Sequence, residues 1–158
     1  MSGTHANSVN EQGMSFFIVV IAIELLLLAV QFVFGIWMNL FAPFPTARVA
    51  FQPYAMMTVM ISVPELMIHM MNGVLIGLLS LMIFVLAIMR ADFRSAAISA
   101  VASLSILLAG ISGLLFLFSG FQDNVFSFAM SIGFIVAVIS YFFLVYSAAI
   151  LPRGKASI

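Results

Sequence analysis

The sequence contains no cysteine and very few charged residues. Only 6% of its 158 residues are charged, and five basic side chains balance five acidic ones. Without cysteine the chain cannot form disulfides, thiolate nucleophiles, zinc–thiolate sites or a haem attached through a CxxCH motif. A soluble domain has about a quarter charged residues, and a nucleic-acid-binding protein has an excess of basic ones. The composition therefore excludes an ordinary soluble enzyme and a nucleic-acid partner.

Long apolar runs take the place of the missing charge. Hydrophobic residues make up 65% of the chain, and the mean hydropathy is +1.31. A membrane-spanning helix needs about 20 mostly apolar residues, and four segments satisfy this requirement: 15–41, 64–89, 95–119 and 124–151. Short connections make neighbouring helices antiparallel. We therefore predict an all-α polytopic membrane protein, an up-down-up-down bundle of four transmembrane helices over residues 15–151.

The polar segments outside these runs predict tails and an orientation. Residues 1–14 contain no lysine or arginine, unlike a signal peptide, so we expect a mobile polar tail there and a second tail at 152–158. Basic residues favour the cytoplasmic side of a membrane, and they follow the second and fourth runs at Arg90, Arg94, Arg153 and Lys155. We expect a multi-pass protein of the cell membrane with both termini in the cytoplasm.

The connections contain the residue types that end and start helices. Prolines at 43, 45 and 53 predict an irregular loop between the first two helices. Ser95 is a candidate N-cap for the third helix, and Asp123 or Asn124 for the fourth, because these side chains accept hydrogen bonds from free backbone N–H groups. Pro152 is expected to end the fourth helix.

Polar residues line one face of the second predicted helix. Glu65, His69 and Asn72 are spaced by four and three residues, and Ser80 continues the same stripe. Ionisable residues inside a membrane span are costly, which makes them candidates for function. A carboxylate one turn from a histidine can also orient its ring. The stripe predicts either a ligand or proton site, or a seam of hydrogen bonds to a neighbouring helix.

A matching stripe lies on the first predicted helix. Glu24, Gln31, Gly35 and Asn39 fall within about an 80° arc, and we expect the two stripes to face each other. Glu24 lies deeper and is a candidate proton-handling group. We expect it to be protonated or bonded to a hydroxyl, because an isolated buried carboxylate is costly. The candidate cofactor-binding residues of the two stripes are Gln31, Asn39, Glu65, His69 and Asn72.

Methionines are unusually frequent near the start of the second helix. Six of the twelve stand at positions 56, 57, 60, 67, 70 and 71, and thioether and imidazole ligands together suit Cu(I). On a regular helix, however, Met67, Met70 and Met71 point away from His69. We therefore expect no metal site.

The third and fourth helices contain small residues in place of charges. Ser99, Ser103, Gly110 and Gly113 on the third helix predict close helix packing. Tyr141 and Tyr146 on the fourth are expected at the membrane interface, where aromatic side chains with a polar tip are common.

Several motifs together resemble a family of small four-helix membrane proteins of bacteria and archaea. They are QFVFGIWMNLFAPFP at the end of the first helix, His69 followed by Gly73, GISGLLFLFSG, and SFAMSIGFIVAVISYFFLVY in the fourth helix. The resemblance covers about residues 15–148 and implies a four-helix fold without naming an activity. The family-like positions are Gly35, Asn39, Leu40, Phe41, His69, Gly73, Gly113, Ser127, Met130 and Tyr141.

A second resemblance is to haem-binding four-helix membrane bundles, such as half of a haem A synthase or a transmembrane b-type cytochrome. It implies haem b as a cofactor with His69 as a ligand. Those proteins use paired histidines, whereas only His69 lies in a predicted span here. Haem binding would therefore need a dimer or a methionine as second ligand.

Three functional hypotheses follow. The first is an accessory or structural subunit in the lipid bilayer, within a homodimer or a larger membrane complex. The second is a redox module that binds haem or quinone through His69, and the third is a small proton-linked carrier that uses Glu24 and Glu65. The sequence contains no HExxH, no GxSxG and no glycine-rich phosphate loop, which favours a protein that is not an enzyme.

Overall fold

A computed structural model describes residues 3–42, 44 and 53–150, which are almost entirely helical. They form five helices: α1 (Gly3–Phe41), α2 (Pro53–Ser62), α3 (Pro64–Met89), α4 (Phe93–Phe118) and α5 (Asn124–Ile150). Four stretches are long and apolar enough to cross a membrane: Gly13–Phe41 of α1, all of α3, all of α4, and Asn124–Ala149 of α5. The predicted all-α bundle of four apolar helices is confirmed. Pro152 lies outside the described residues.

Contacts between the long helices establish their directions and order. Gln31 on α1 meets Asn72 on α3, whereas Gly13, much earlier in α1, meets Arg90, at the far end of α3. These two helices are therefore antiparallel. Each long helix packs against two others, in the order α1, α3, α4, α5 and back to α1. We call the end of the bundle that contains Arg90 the Arg90 end, and the opposite end, beside α2, the α2 end.

Two segments are more regular than the sequence predicted. α1 begins at Gly3 and not at Ser15, so the polar stretch expected to be a mobile tail is helical from Gly3. This stretch contains no proline that would stop a helix from extending. The second part of the expected loop forms α2, because Pro53 stands at the first helical position, where its missing N–H costs nothing. Pro43 and Pro45 lie outside the described residues.

Aspartates cap α4 and α5. At α4 the cap is Asp92 and not Ser95: the Asp92 carboxylate accepts hydrogen bonds from the Arg94 backbone N–H and the Ser95 hydroxyl. The hydrogen bond from Ser95 is the main reason that the pKa of Asp92 lies below its usual value. At α5 the prediction holds for Asp123, whose carboxylate accepts from the Val125 N–H at 3.0 Å.

The bundle encloses an apolar core and exposes apolar outer faces. Ile21, Ile76 and Ile83 are buried at its centre, and a second apolar cluster of Met38, Leu66 and neighbouring side chains closes the α2 end. Large apolar side chains are exposed along every long helix. In water such a surface would aggregate, so these faces are suited to contact with lipid. The structure is that of a small integral membrane protein.

α4 and α5 form the most extensive helix pair. A Cβ atom added to Gly133 would lie 2.6 Å from the Ser105 carbonyl oxygen, and one added to Gly113 would lie 3.1 Å from the Met130 sulfur. Small residues therefore allow the two backbones to approach closely, which stabilises helix pairs in lipid. Gly110 does not contribute as predicted, because a Cβ there would meet nothing within 4 Å.

Candidate functional site

Two groups of polar side chains lie inside the bundle. The first, which we call the histidine cluster, consists of Gln31, His69 and Asn72. The second, which we call the tyrosine cluster, consists of Glu24, Ser80, Ser103 and Tyr141. The buried side chains of Leu28 and Ile76 belong to the apolar core and come between the two clusters along α1 and α3. The histidine cluster is the one nearer the α2 end.

The histidine cluster is a chain of hydrogen bonds between α1 and α3. The Asn72 side-chain nitrogen donates to the Leu27 carbonyl oxygen at 3.2 Å and to the Gln31 side-chain oxygen at 2.7 Å. The Gln31 side-chain nitrogen lies 3.0 Å from Nε2 of His69. The two facing stripes of the sequence thus meet at three of their predicted positions.

This series of hydrogen bonds determines which ring nitrogen of His69 carries the hydrogen. A backbone carbonyl can only accept, so the Leu27 oxygen fixes which end of the Asn72 amide faces it. Asn72 in turn fixes the Gln31 amide, whose nitrogen must donate to His69. Nε2 of His69 is therefore an acceptor, and the hydrogen of the neutral ring lies on Nδ1.

Nδ1 of His69 is left without a partner. The atom is buried and makes no hydrogen bond within the described part of the chain. A buried polar group in this state calls for an explanation, such as a bound ligand or water. His69 therefore offers one free N–H donor inside the membrane-spanning part of the bundle.

Two glycines adjoin the cluster. A Cβ added to Gly35 would lie 3.4 Å from Cε1 of His69, and one added to Gly73 would lie 3.4 Å from the Gln31 side-chain nitrogen. Both glycines are half-buried. Because neither residue has a side chain, the backbone of α1 comes close to His69 and the backbone of α3 comes close to Gln31.

Two predicted site residues are not part of the cluster. Asn39 is exposed and Glu65 is half-buried, and neither side chain has a hydrogen bond among the residues that the structure describes. Met67 and Met71 are also exposed, as their spacing from His69 indicated, while Met70 packs into the apolar cluster at the α2 end. Among the described side chains, no three of His, Cys, Asp or Glu are grouped so as to hold a metal ion.

The tyrosine cluster joins α3, α4 and α5 through hydroxyl groups. The Tyr141 hydroxyl donates to the Ser80 hydroxyl at 2.8 Å, and the Ser80 and Ser103 hydroxyl oxygens are 2.8 Å apart. The Ser103 hydroxyl also reaches the Ser80 carbonyl oxygen at 3.2 Å. The expectation that Tyr141 lies at the membrane interface is wrong, since its side chain is fully buried. Tyr141 lies well inside the apolar run 124–151, and this position could have indicated that its side chain is not at the membrane interface.

Glu24, the α1 member of the tyrosine cluster, is fully buried. The carboxyl is close enough to Tyr141 to act on it electrostatically. Neither carboxyl oxygen has a hydrogen-bond partner within the described residues. Of the two states expected for Glu24, the hydroxyl bond is therefore not formed among the described residues.

A surface cleft of about 640 Å³ lies elsewhere, at the turn between α4 and α5. Its lining combines apolar residues with Ser119, Gln122, Asp123 and Asn124, and includes no member of either cluster. The cleft and the interior clusters are therefore separate features.

No protein-family model matches the chain, and no curated protein or solved structure is similar to it. Function must therefore be inferred from the interior geometry.

Proposed function

We propose that the protein is a ligand-binding membrane subunit that holds a lipid-soluble carbonyl compound of the quinone class at His69. The observation behind this proposal is the buried Nδ1–H that has no acceptor among the described residues. A buried donor left unpaired costs about 1–3 kcal/mol. An acceptor oxygen on a ligand would recover this free energy.

The chemistry of the free group defines the ligand class. Only a hydrogen-bond acceptor can pair with an N–H, and the apolar side chains around the cluster favour a ligand with an apolar body and few polar atoms. A quinone dissolved in the bilayer has both properties, since its carbonyl oxygens accept hydrogen bonds. Since Gly35 and Gly73 add no side chains at the α1–α3 seam, we expect such a ring to approach His69 from the lipid along this seam.

Haem b fits these residues less well. An axial bond to iron needs a lone pair on a ring nitrogen, but the Nε2 lone pair of His69 faces the Gln31 amide and Nδ1 carries the hydrogen. The other histidine, His5, belongs to the first turns of α1, beyond the Arg90 end. Quinone binding is therefore preferred to haem binding among the redox hypotheses.

The histidine cluster contains no nucleophile, and no metal-binding group of side chains occurs among the described residues, which suits a subunit more than a free-standing enzyme. Any electron donor or acceptor for a bound quinone would belong to a partner, within a homodimer or a larger complex of the cell membrane. With both termini in the cytoplasm, as the basic residues favour, the histidine cluster would lie in the outer half of the membrane.

The only tryptophan provides a test. Trp37 lies two residues beyond Gly35 on α1, and quinones quench indole fluorescence. We expect decylubiquinone, added to the full-length protein in lipid nanodiscs, to quench Trp37 with a saturable component. His69→Phe should lose that component, whereas the control Glu65→Gln should retain it, because the Glu65 side chain makes no hydrogen bond to the histidine cluster in the described part of the chain.

Two results would overturn the proposal. One is quenching that rises linearly with quinone and is identical in the native protein and His69→Phe, which would indicate collisions in the lipid alone. The other is a reduced-minus-oxidised haem spectrum near stoichiometric with protein from a haem-competent host, lost in His69→Ala. That spectrum would make His69 an iron ligand.

A further inference from the structure

The tyrosine cluster has a direction that follows from its donors. The Ser103 hydroxyl hydrogen is used on the Ser80 carbonyl oxygen, so the short contact between the two serine hydroxyls must be donated by Ser80. Tyr141 donates to Ser80. All three hydroxyl hydrogens thus point one way, from Tyr141 towards a backbone carbonyl. The phenolic oxygen of Tyr141, which also lies near the Ser103 hydroxyl, keeps a lone pair that can accept a hydrogen bond.

Glu24 is the complementary group. The antiparallel register of α1 and α5 is marked by the stacked rings of Phe32 and Phe134, whose centroids are 5.2 Å apart. About two helical turns from this pair along each helix, Glu24 and Tyr141 are brought level, in agreement with their electrostatic interaction. A protonated Glu24 has one hydrogen to donate, and Tyr141 has an unfilled acceptor at the same depth.

We propose that Glu24 and the hydroxyl chain Tyr141–Ser80–Ser103 form a proton-binding site in the interior of the bundle, at which Glu24 takes up and releases one proton. With the proton bound, the Glu24 carboxyl turns to donate to the Tyr141 oxygen, and the hydroxyl chain keeps its direction. When the proton leaves, Tyr141 turns its O–H to the carboxylate and stops donating to Ser80. The site therefore has two arrangements that differ by one proton and one hydroxyl rotation.

No fixed positive charge among the described groups competes with the proton for Glu24. The ionisable side chains on α3 are Glu65 and His69, and Arg90 follows its last residue. His69 is bonded to Gln31 towards the α2 end, and Arg90 is engaged with Gly13 and Met14 at the Arg90 end. On α5 the facing ionisable group is Tyr141, while Tyr146 is exposed. An unpaired carboxylate in such surroundings is costly, so a proton is the ligand that the site favours.

This inference does not depend on a ligand at His69, because the two clusters share no hydrogen bond.

Infrared difference spectroscopy on the full-length protein in lipid tests the proposed proton site. At neutral pH we expect the carbonyl stretching band of a protonated carboxylic acid, lost completely in Glu24→Gln and retained in the control Glu65→Gln. In D₂O the band should shift, because a site that exchanges its proton also exchanges a deuteron. Tyr141→Phe should shift the band, because it removes the acceptor oxygen.

Several outcomes would overturn the proposal. A carboxylate signal for Glu24 at neutral pH would mean that the group is ionised and paired with something else. A protonated band that never shifts in D₂O would make Glu24 a closed structural group. A band that is unchanged in Tyr141→Phe would remove the hydroxyl chain from the site, and loss of the band on adding Na⁺ at constant pH would assign the site to a cation.

Discussion

The α4–α5 interface and the α1–α3 seam join helices in two different ways. Between α4 and α5, glycines bring the backbones together, and the nearby serines bond to carbonyls of their own helix, Ser105 to Val101 and Ser131 to Ser127. Between α1 and α3, polar side chains bond across the seam. Lipid gives no hydrophobic driving force for helix association, so both close packing and interhelical hydrogen bonds serve this purpose in membranes.

The two interfaces also differ in their buried polar atoms that lack hydrogen-bond partners. The buried side-chain atoms that lack hydrogen-bond partners in the described residues are both carboxyl oxygens of Glu24 and Nδ1 of His69. Glu24 belongs to α1 and His69 to α3. Polar groups that only stabilise a bundle have no reason to remain unpaired. The unpaired polar atoms of the described residues thus lie on α1 and α3, whereas the α4–α5 interface is closely packed.

Alanine at Gly133 should give the largest effect on stability. Its Cβ would lie 2.6 Å from a backbone oxygen, so α4 and α5 must move apart. Overpacking of this kind costs about 1–3 kcal/mol. We expect the free energy of unfolding, measured by titration with sodium dodecyl sulfate in mixed micelles, to fall by this amount in Gly133→Ala.

Two alanine controls separate the interfaces. At Gly73, on the α1–α3 seam, the added Cβ would lie at an ordinary contact distance, and at Gly110 it would face open space. Gly73→Ala and Gly110→Ala should therefore be neutral or slightly stabilising, since alanine favours helix over glycine by about 1 kcal/mol. Equal destabilisation in all three variants would show that the two interfaces do not differ in packing.

Replacing Asn72 should have a smaller effect on stability and a specific effect on His69. Asn72→Leu removes two interhelical hydrogen bonds of about 0.6 kcal/mol each, so roughly 1 kcal/mol of stability. It also frees the Gln31 amide to turn, which allows hydrogen on Nε2 of His69. In ¹⁵N spectra of histidine-labelled protein we expect the His69 ring to show one tautomer in the native protein and a mixture in Asn72→Leu. The control Ser131→Ala, on α5, should change neither quantity.

A native His69 already present as a mixture of tautomers would contradict this prediction. It would mean that the hydrogen-bond chain from Leu27 does not orient the ring, and the argument for a carbonyl ligand would lose its basis.

The sequence predicted the helices and part of the site, for reasons that are local. Apolar length defines a membrane span, and the helical period placed Gln31, His69 and Asn72 on facing stripes. The helical period does not determine how many residues of each stripe lie in the interface between α1 and α3. Asn39 is exposed although it belongs to the stripe, because its arc has rotated outwards by the last turns of α1.

The contact between Tyr141 and Ser80 could not be predicted in the same way. It depends on the rotation of α5 and on its register against α3, which are set by the packing of all four long helices. The α2 helix was not predicted from the sequence, because Pro53 was interpreted as part of an irregular loop. Proline is also common at the first position of a helix, and Pro53 stands there.

The turn between α3 and α4 can be compared with the buried α1–α3 seam, because the hydrogen bonds of the turn are exposed to water. The Ser95 hydroxyl and the Arg94 N–H stabilise the charged form of Asp92 and hold its pKa below the ordinary value of 3.8. The cap therefore contributes stability above that pH and loses it as the pH falls through the lower, folded pKa. At neutral pH we expect Asp92→Ala to cost about 1 kcal/mol.

Asp92→Asn separates charge from capping at this turn. Asparagine also caps helices but does not titrate, so native protein and Asp92→Asn should converge in free energy of unfolding as the pH falls below about 4. Asn72→Leu should keep a constant deficit over the same range, because an amide has no proton to gain. A deficit for Asp92→Asn that is independent of pH would mean that the Asp92 charge contributes nothing to the cap. The exposed turn and the buried seam would then stabilise the fold in the same way, through neutral hydrogen bonds.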